Sequence, residues 1–472
     1  MPIRGYKNAN PNEWIRLNEL LENAFKAEKD HRFVKLHKQK PIEDEWSRIF
    51  EYVPRVDSYL GFDSLFEKPT MIAHMGVLRQ PMQFGKSVVL NGGVRDVATL
   101  RSVQGKGIGL LVAQDAIKFM FENEVDFSIL FSGAGPFYEK SGWRGGFNYL
   151  NFHLSINQID AIAKSIALCE EKYSARVLEP TESDLAMLSD LYRSTNMGLY
   201  FAAHRDKEYW RRHFETNPQI IWEYIGVFDS EGLLVGYYRY GLKQNKEKVD
   251  VYITECRISI NIQPGSSEFD AIISAFIKFL ENEAIDSIES LNEIHLELSP
   301  QHIIIQHLKK RFPEMKEGLA FKPNHMVLIT NPYSLFKKIK EELTDRIVKN
   351  SKAIESSPAV SILFDKSSKY PGGVVIIKTQ NVESSAPAFQ TQIKICYSNE
   401  EFNTESAETK DRIEFDSISA LTIFFCNLVP GEDWDEDELL EELGVKFSGV
   451  GRIWLKTLFA GSDCAMYELD HF

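Results

Sequence analysis

The stretch VRDVATLRSVQGKGIGLLVAQDAIKFM, Val94 to Met120, decides how the chain is read. Its opening, Val94 to Leu100, reads as a strand, and Gln104-Gly-Lys-Gly-Ile-Gly109 follows as a glycine-rich turn. From there Ile108, Leu111, Val112, Ala116, Phe119 and Met120 recur at helical spacing, so a long amphipathic helix starts at the turn. The order strand, glycine turn, helix gives the turn a chemical use. Glycine lets the backbone approach a ligand closely, and the first N–H groups of a helix have no partner within it, so the turn suits a pyrophosphate. Lys106 adds a positive charge. Taken by itself, such a turn serves equally well as a plain connection.

Spacing separates the phosphate-binding classes. A Walker loop needs GxxxxGK[ST], which the sequence lacks. A dinucleotide fold needs GxGxxG with an acidic partner ~20 residues on, and Gly109 falls too early for its third glycine.

Upstream of the turn, Trp14, Leu17, Leu20, Leu21 and Phe25 fall on one face of a helix from Trp14 to Phe25, and a second helix is expected over Ile42 to Tyr52. Strands follow at Thr70 to Leu78 and Ser87 to Leu90. Beyond the long helix comes a buried strand, Phe127 to Phe131. From about Ser174 to Thr330 the order of elements recurs: strand Ala175 to Leu178, helices after Glu182 and near Trp210, and a hairpin at Tyr224 to Gly241 turning at Asp229 to Gly232. Strand Val249 to Ile260, helix Phe269 to Asn282, strand Glu293 to Leu298 and helix Ile303 to Phe312 complete what reads as a second copy of the first fold.

From about Pro332 the character changes to a separate α+β domain. It has a charged helix, Leu335 to Val348, strands at Val360 to Phe364, Val374 to Thr379 and Gln392 to Tyr397, and an apolar helix near Leu421 to Leu428. The acidic run Glu432 to Glu442 reads as a solvated helix face. With 472 residues the chain exceeds one ordinary core, so three domains are expected, at 1–172, 173–333 and 334–472.

Composition narrows the function classes. A 43% hydrophobic, 26% charged chain is globular, and a net charge of −14 disfavours nucleic acid while weakly favouring cationic substrates. Five scattered cysteines, Cys169, Cys256, Cys396, Cys426 and Cys464, without CxxC or CxxH spacing imply a reducing compartment and no zinc site. No leader-like segment and no run of ~18 apolar residues is present, so a cytoplasmic protein with no membrane partner is expected.

Gln104, Gly107 and Gly109 match [Gln/Arg]-x-x-Gly-x-[Gly/Ala], which resembles the acetyl-CoA signature of the GNAT acetyltransferase superfamily. The resemblance implies that backbone N–H groups of Gln104, Gly105, Lys106, Gly107, Ile108 and Gly109 bind the CoA pyrophosphate. It also implies that Val97, Ala98 and Thr99 offer main-chain groups to pantetheine and the thioester. Phe137-Tyr138-Glu139-Lys140-Ser141-Gly142-Trp143 looks like the family's [FY]Y-x-x-x-G-[FYW] segment, in which Tyr138 would be the general acid.

As an architecture the whole chain is similar to the enhanced intracellular survival family. That resemblance implies a mixed α/β (α+β) fold of tandem GNAT-like domains followed by a sterol-carrier-protein-like domain, a homo-oligomer such as a hexamer, acetyl-CoA as cosubstrate and no metal. It also implies that the C-terminal carboxylate, here on Phe472, reaches the first active site as the base; His471 ranks second. The second domain departs from the signature, reading Ile260-Asn-Ile-Gln-Pro-Gly-Ser-Ser-Glu268, where Pro264 lacks an N–H and Ser267 with Asp270 looks like a helix cap.

The expected reaction is direct attack of an amine, from an aminoglycoside-like molecule, a polyamine or a lysine, on the acetyl thioester. An amine of pKa ~10 is about 0.1% neutral at pH 7, so a proton acceptor is needed. The alternatives are an acetyl-CoA sensor without transfer, or a lipid-binding protein using the C-terminal domain. Phe25, Phe33 and Trp46 are candidates for the substrate pocket, although each also suits a core.

Overall fold

The structure, a computed structural model, describes residues 3–7, 11–25, 45–54, 56–164, 172–196, 200–216, 222–245, 248–284, 291–298, 302–313, 317–349, 359–364, 373–382, 388–397, 411–415 and 445–448. Phe33, the Leu421 to Leu428 helix, the acidic run, His471 and Phe472 lie outside them.

In chain order the first elements are β1 (Ile3–Lys7), α1 (Pro11–Phe25), β2 (Glu45–Tyr52), β3 (Thr70–Phe84), β4 (Ser87–Thr99), α2 (Ile108–Glu122), β5 (Phe127–Phe131), α3 (Gly135–Glu139) and β6 (Arg144–Ser155). Next come α4 (Ile156–Lys164), β7 (Tyr173–Val177), α5 (Glu182–Asn196), β8 (Tyr200–Ala203), α6 (Lys207–Thr216), β9 (Trp222–Asp229), β10 (Leu234–Asn245), β11 (Lys248–Ile258), α7 (Ser267–Phe279), β12 (Leu291–Leu298) and α8 (Ile303–Arg311). The last are β13 (Glu317–Ile329), α9 (Pro332–Lys338), α10 (Lys340–Lys349), β14 (Ala359–Phe364), β15 (Gly373–Val382), β16 (Ala388–Tyr397), β17 (Asp411–Phe415) and β18 (Val445–Ser448).

Four local expectations are corrected. The helix expected over Ile42 to Tyr52 is the strand β2 where it is described. Trp46, Ile49, Phe50 and Tyr52 imitate helical spacing because both faces of the strand are covered: Trp46 packs on Phe119 of α2, and Ile49 packs with Leu17, Leu20 and Leu21 of α1. The two strands expected around Asn91-Gly92-Gly93 are one, β4, paired to β3 throughout that tripeptide. A Cβ on Gly92 would sit 2.5 Å from Met120 Sδ, so this glycine admits α2 against the sheet and makes no turn. The charged helix at Leu335 to Val348 is two helices, α9 and α10, separated at Ile339. Along α2, Leu111 is exposed although its spacing placed it with the buried Ile108, Val112, Ala116 and Met120.

The described chain parts into two compact units, residues 3–147 with 323–448, and residues 148–322. In the first unit the larger sheet runs β1-β2-β3-β4-β5-β13. Its neighbours are antiparallel except β4 and β5, which are parallel and joined by α2. Leu17, Leu20 and Leu21 of α1 pack on Ile49, Met71 and Ala98 of this sheet, each large apolar side chain contributing about 1.5–3 kcal/mol when fully buried. A second sheet, β16-β15-β14-β17-β18, belongs to the same unit.

The second unit's sheet runs β6-β12-β11-β10-β9-β7, with β11 and β12 parallel and joined by α7. A hairpin followed by a crossover helix thus occurs in both units, as β3-β4-α2-β5 and β10-β11-α7-β12. The strand beside the last of these comes from far along the chain: residues 325–329 of β13 pair with β5, and residues 150–155 of β6 pair with β12. Among the described residues no helix is long and apolar enough to cross a membrane.

Candidate active site

β4 and β5 begin side by side and then part. Their parallel pairing lies at Asn91 and Phe127, whereas β4 runs on to Thr99. Past that point side chains take over: Asn91 Oδ1 accepts from Ile129 N at 3.0 Å, and Ser128 Oγ donates to the Gly92 carbonyl at 2.7 Å. Five residues beyond Asn91 a bulge sets Asp96 and Val97 opposite the single residue Met75, with Asp96 at a φ of 54°. Buried His74 holds the bulge. Its Nδ1 lies 2.8 Å from the Asp96 carbonyl, which can only accept, so Nδ1 donates there, and Nε2 lies 2.9 Å from Ser47 Oγ. The bulge re-aims the main chain of Val97, Ala98 and Thr99.

A single 3-10 turn, Arg101–Val103, carries the chain from β4 to the glycine turn, and Gln104 Nε2 braces it by donating to the Thr99 carbonyl at 2.9 Å. Gln104, Gly105, Lys106 and Gly107 are exposed. Gly105 and Gly107 take φ values of 77° and 80°, and a Cβ on either would meet no atom within 4 Å, so what these positions require is the left-handed backbone itself. Gly107 caps α2 with no side chain bonded to the first helical N–H groups, which leaves this end of the helix suited to an anion. Lys106 Nζ rests 4.6 Å from the ring centroid of Phe62.

Gly109 performs a different task. A Cβ there would come 3.2 Å from Thr99 Oγ1 and 3.3 Å from the Phe137 ring, so its hydrogen lets β4, α2 and α3 meet. Phe137 in turn packs edge-on against Tyr138, which is buried and packs edge-on against the fully buried Trp143. Burial pushes the Tyr138 phenol up to about 12, against a smaller opposing effect of its hydrogen bond with Ser132. The phenol is protonated at neutral pH and is a proton donor. His74, Asn91 and Ser132 were not legible as site residues; His74 shows only as a polar residue inside an apolar strand. Of the pocket candidates, Phe25 is exposed, and Trp46 packs on Phe119 with ring centroids 4.8 Å apart.

The second unit starts its crossover helix in another way. The cap of α7 is Ser266, not the expected Ser267 and Asp270: Ser266 Oγ accepts from Phe269 N at 3.2 Å, because the helix begins one residue earlier. Gly265 N donates to His307 Nδ1 at 2.9 Å, His307 Nε2 bonds Asp270 at 3.0 Å, and Arg311 pairs with the same carboxylate. The buried Glu255 in β11 is equally committed, to Arg205 at 2.8 Å and to the Tyr237 hydroxyl. Burial alone would push its carboxyl up, but the Arg205 and Arg257 charges override this and hold it low, so it is a fixed anion and a poor base.

Comparison with known proteins agrees with this geometry. Residues 5–146 match the family model for the acetyltransferase (GNAT) domain. No curated relative matches the chain. Among solved structures, a GCN5-related N-acetyltransferase from Anabaena variabilis is similar over 100% of both chains at 13% identity and a TM-score of 0.64. A protein of unknown function from Enterococcus faecalis V583, described as a probable N-acyltransferase, shares 14% identity at a TM-score of 0.63, and Eis1 from Mycobacterium abscessus 11% at 0.58, each over 100% of both chains. At these identities the likeness concerns the fold. The family match ends one residue before the first unit's leading segment does, and it contains the bulged strand, the uncapped glycine turn and Tyr138. The chain therefore carries a GNAT acetyltransferase domain at residues 5–146, and the protein is an enzyme of the N-acetyltransferase class.

Proposed function

We propose that the protein transfers the acetyl group of acetyl-CoA to an amine of a cationic small molecule, aminoglycoside-like or polyamine, or of a lysine side chain, by direct attack. The observation that carries this reading is an uncapped, exposed helix start beside a buried tyrosine that keeps its proton. Acetyl-CoA supplies an activated thioester. The backbone N–H groups from Gln104 to Gly109, with Lys106, receive its pyrophosphate; the open space above Gly105 and Gly107 supports that fit. Main-chain groups of Val97, Ala98 and Thr99 align the pantetheine arm and stabilise charge growing on the thioester oxygen. Tyr138 delivers its proton to the departing sulfur. The Phe472 carboxylate takes the proton of the amine, with His471 as the second choice.

In the same reading the catalytic domain spans 1–172. A degenerate GNAT-like domain, 173–333, does not bind CoA because its helix start is satisfied by Ser266, His307 and Asp270. The part from 334 onward is sterol-carrier-protein-like; the five-stranded sheet there supports this placement. The protein works as a cytoplasmic homo-oligomer.

Thiol release from acetyl-CoA across a panel of polyamines, aminoglycosides and lysine peptides tests the proposal. Tyr138→Phe is expected to lower kcat by about 10²-fold or more with the Kd for acetyl-CoA unchanged, and deletion of Phe472 to do the same. Undiminished turnover in both would overturn the roles. Saturable acetyl-CoA binding with no release for any amine would instead favour a sensor.

A further inference from the structure

In the second unit β6 and β12 pair antiparallel, with His153 opposite His295 and Ser155 opposite Glu293. Residues two apart on a strand share a face, so Glu293 and His295 project together, and His153 meets them from the neighbouring strand. Glu293 Oε2 lies 3.5 Å from His153 Nδ1 and 3.8 Å from His295 Nε2. One nitrogen from each ring and one carboxylate oxygen all fall within 4.8 Å of one another. The two imidazoles meet edge to face, and Tyr252 of β11, paired with His295 in register, stacks on it with centroids 4.3 Å apart.

His295 is only 8% exposed, and among the described residues neither of its ring nitrogens has a hydrogen-bond partner. A neutral imidazole carries one N–H and one lone pair, so both are stranded in a buried site. Asp250, which accepts from Asn292 Nδ2 at 2.8 Å, and Glu293 add negative charge around the ring, while Lys243 reaches over Tyr252 from β10.

We propose that His153, Glu293 and His295 bind a first-row divalent transition-metal ion, Zn2+ being the best fit, through one nitrogen of each imidazole and a carboxylate oxygen. Tetrahedral zinc with bonds of about 2.0–2.1 Å sets its ligand atoms roughly 3.3–3.5 Å apart, so the Glu293–His153 spacing already suits the ion. Rotation of the partly exposed His153 and Glu293 side chains closes the remaining gaps. Two nitrogens with one carboxylate select zinc, copper or nickel over calcium and magnesium, which prefer all-oxygen shells. The exposed side leaves the fourth position to water. An ion held there ties β6 to β12. Cysteine spacing is blind to such a site, because its ligands come together only through strand register.

The test is calorimetric titration of the metal-free, full-length protein with ZnCl2. One ion per chain is expected, with a rise in melting temperature on binding. His153→Gln and Glu293→Gln, at the more exposed positions, should each weaken binding at least tenfold while leaving the metal-free melting temperature unchanged. His295→Gln should weaken it as much. With Co2+ in place of Zn2+, the visible absorption of a tetrahedral site should appear and be lost in the same variants. Absence of saturable binding, or undiminished affinity in both His153→Gln and Glu293→Gln, would overturn the proposal.

Discussion

Two helices in this chain begin in the same context, after a bulged strand and before a parallel partner, and their first turns are opposites. At α2 the cap is Gly107, left-handed and without a side-chain bond to the first N–H groups. At α7 one of those groups, Phe269 N, is met by the Ser266 side chain at the cap, and Gly265 N just before the cap is taken by His307. The strands differ in the same direction. β4 leaves β5 five residues before its bulge at Asp96, whereas β11 stays paired with β12 up to Ile253, next to its own bulge at Thr254. An anion site is a helix start that the fold has left unsatisfied, between strands that have been allowed to open. The repeat of elements alone does not make one.

The largest effect should come from closing off the first helix start. Gly105→Ala with Gly107→Ala puts a side chain at two positions of positive φ, each costing about 1–2 kcal/mol if the turn is kept. The exposed turn escapes that cost by relaxing, and ligand binding must restore it. The Kd for acetyl-CoA should rise on the order of a hundredfold by titration. Gly265→Ala, at a φ of 92° in the second unit, should leave that Kd unchanged; an equal rise there would erase the distinction between the two turns.

That distinction was partly legible in the sequence. Gln104, Gly107 and Gly109 stand at a spacing that backbone chemistry demands, and Pro264 marks the second turn as deficient in donors. The strand order of the first sheet was less accessible, because β13 joins β5 from about two hundred residues downstream and nothing local announces the partner of a strand. The bulge was invisible for a related reason: it depends on His74 reaching Asp96 across the ladder, a contact between two ordinary strand residues. At β2 two covered faces made a strand look helical, and at Gly92 a residue read as a turn was space for Met120. Where a glycine's purpose is backbone conformation the sequence exposes it, and where the purpose is room for a neighbour only the packing does.

A second effect, of about 2 kcal/mol, tests how thoroughly the second unit satisfies its own helix starts. His302 caps α8: its Nδ1 accepts from Ile304 N at 3.2 Å and its Nε2 donates to the Cys256 carbonyl at 3.2 Å, so the ring must be neutral. Burial, aided by the Arg257 charge, pushes its pKa down to about 3. The unfolded chain takes up this proton below a pH of about 6.5 and the folded one does not, so stability falls with acidification throughout the window between those values. Between pH 7 and 5 the loss attributable to this group is about 2 kcal/mol. Denaturant titrations at the two pH values should show His302→Gln losing less than the parent protein by that amount, and equal losses would mean that the ring is protonated in the fold.

The smallest effect separates cap from catalysis. Ser266→Ala removes the acceptor for Phe269 N and leaves a helix start that resembles the one at Gly107 in lacking a side-chain bond. Loss of such a cap costs about 1 kcal/mol, measurable as a lower midpoint in denaturant. The altered turn should still gain no affinity for acetyl-CoA, because Pro264 supplies no N–H, His307 still occupies Gly265 N, and β11 remains paired up to its bulge. A second binding event appearing in the Ser266→Ala protein would show that the cap alone kept the ligand out. Its absence would place the difference between the two units in the combination of open strands and open turn.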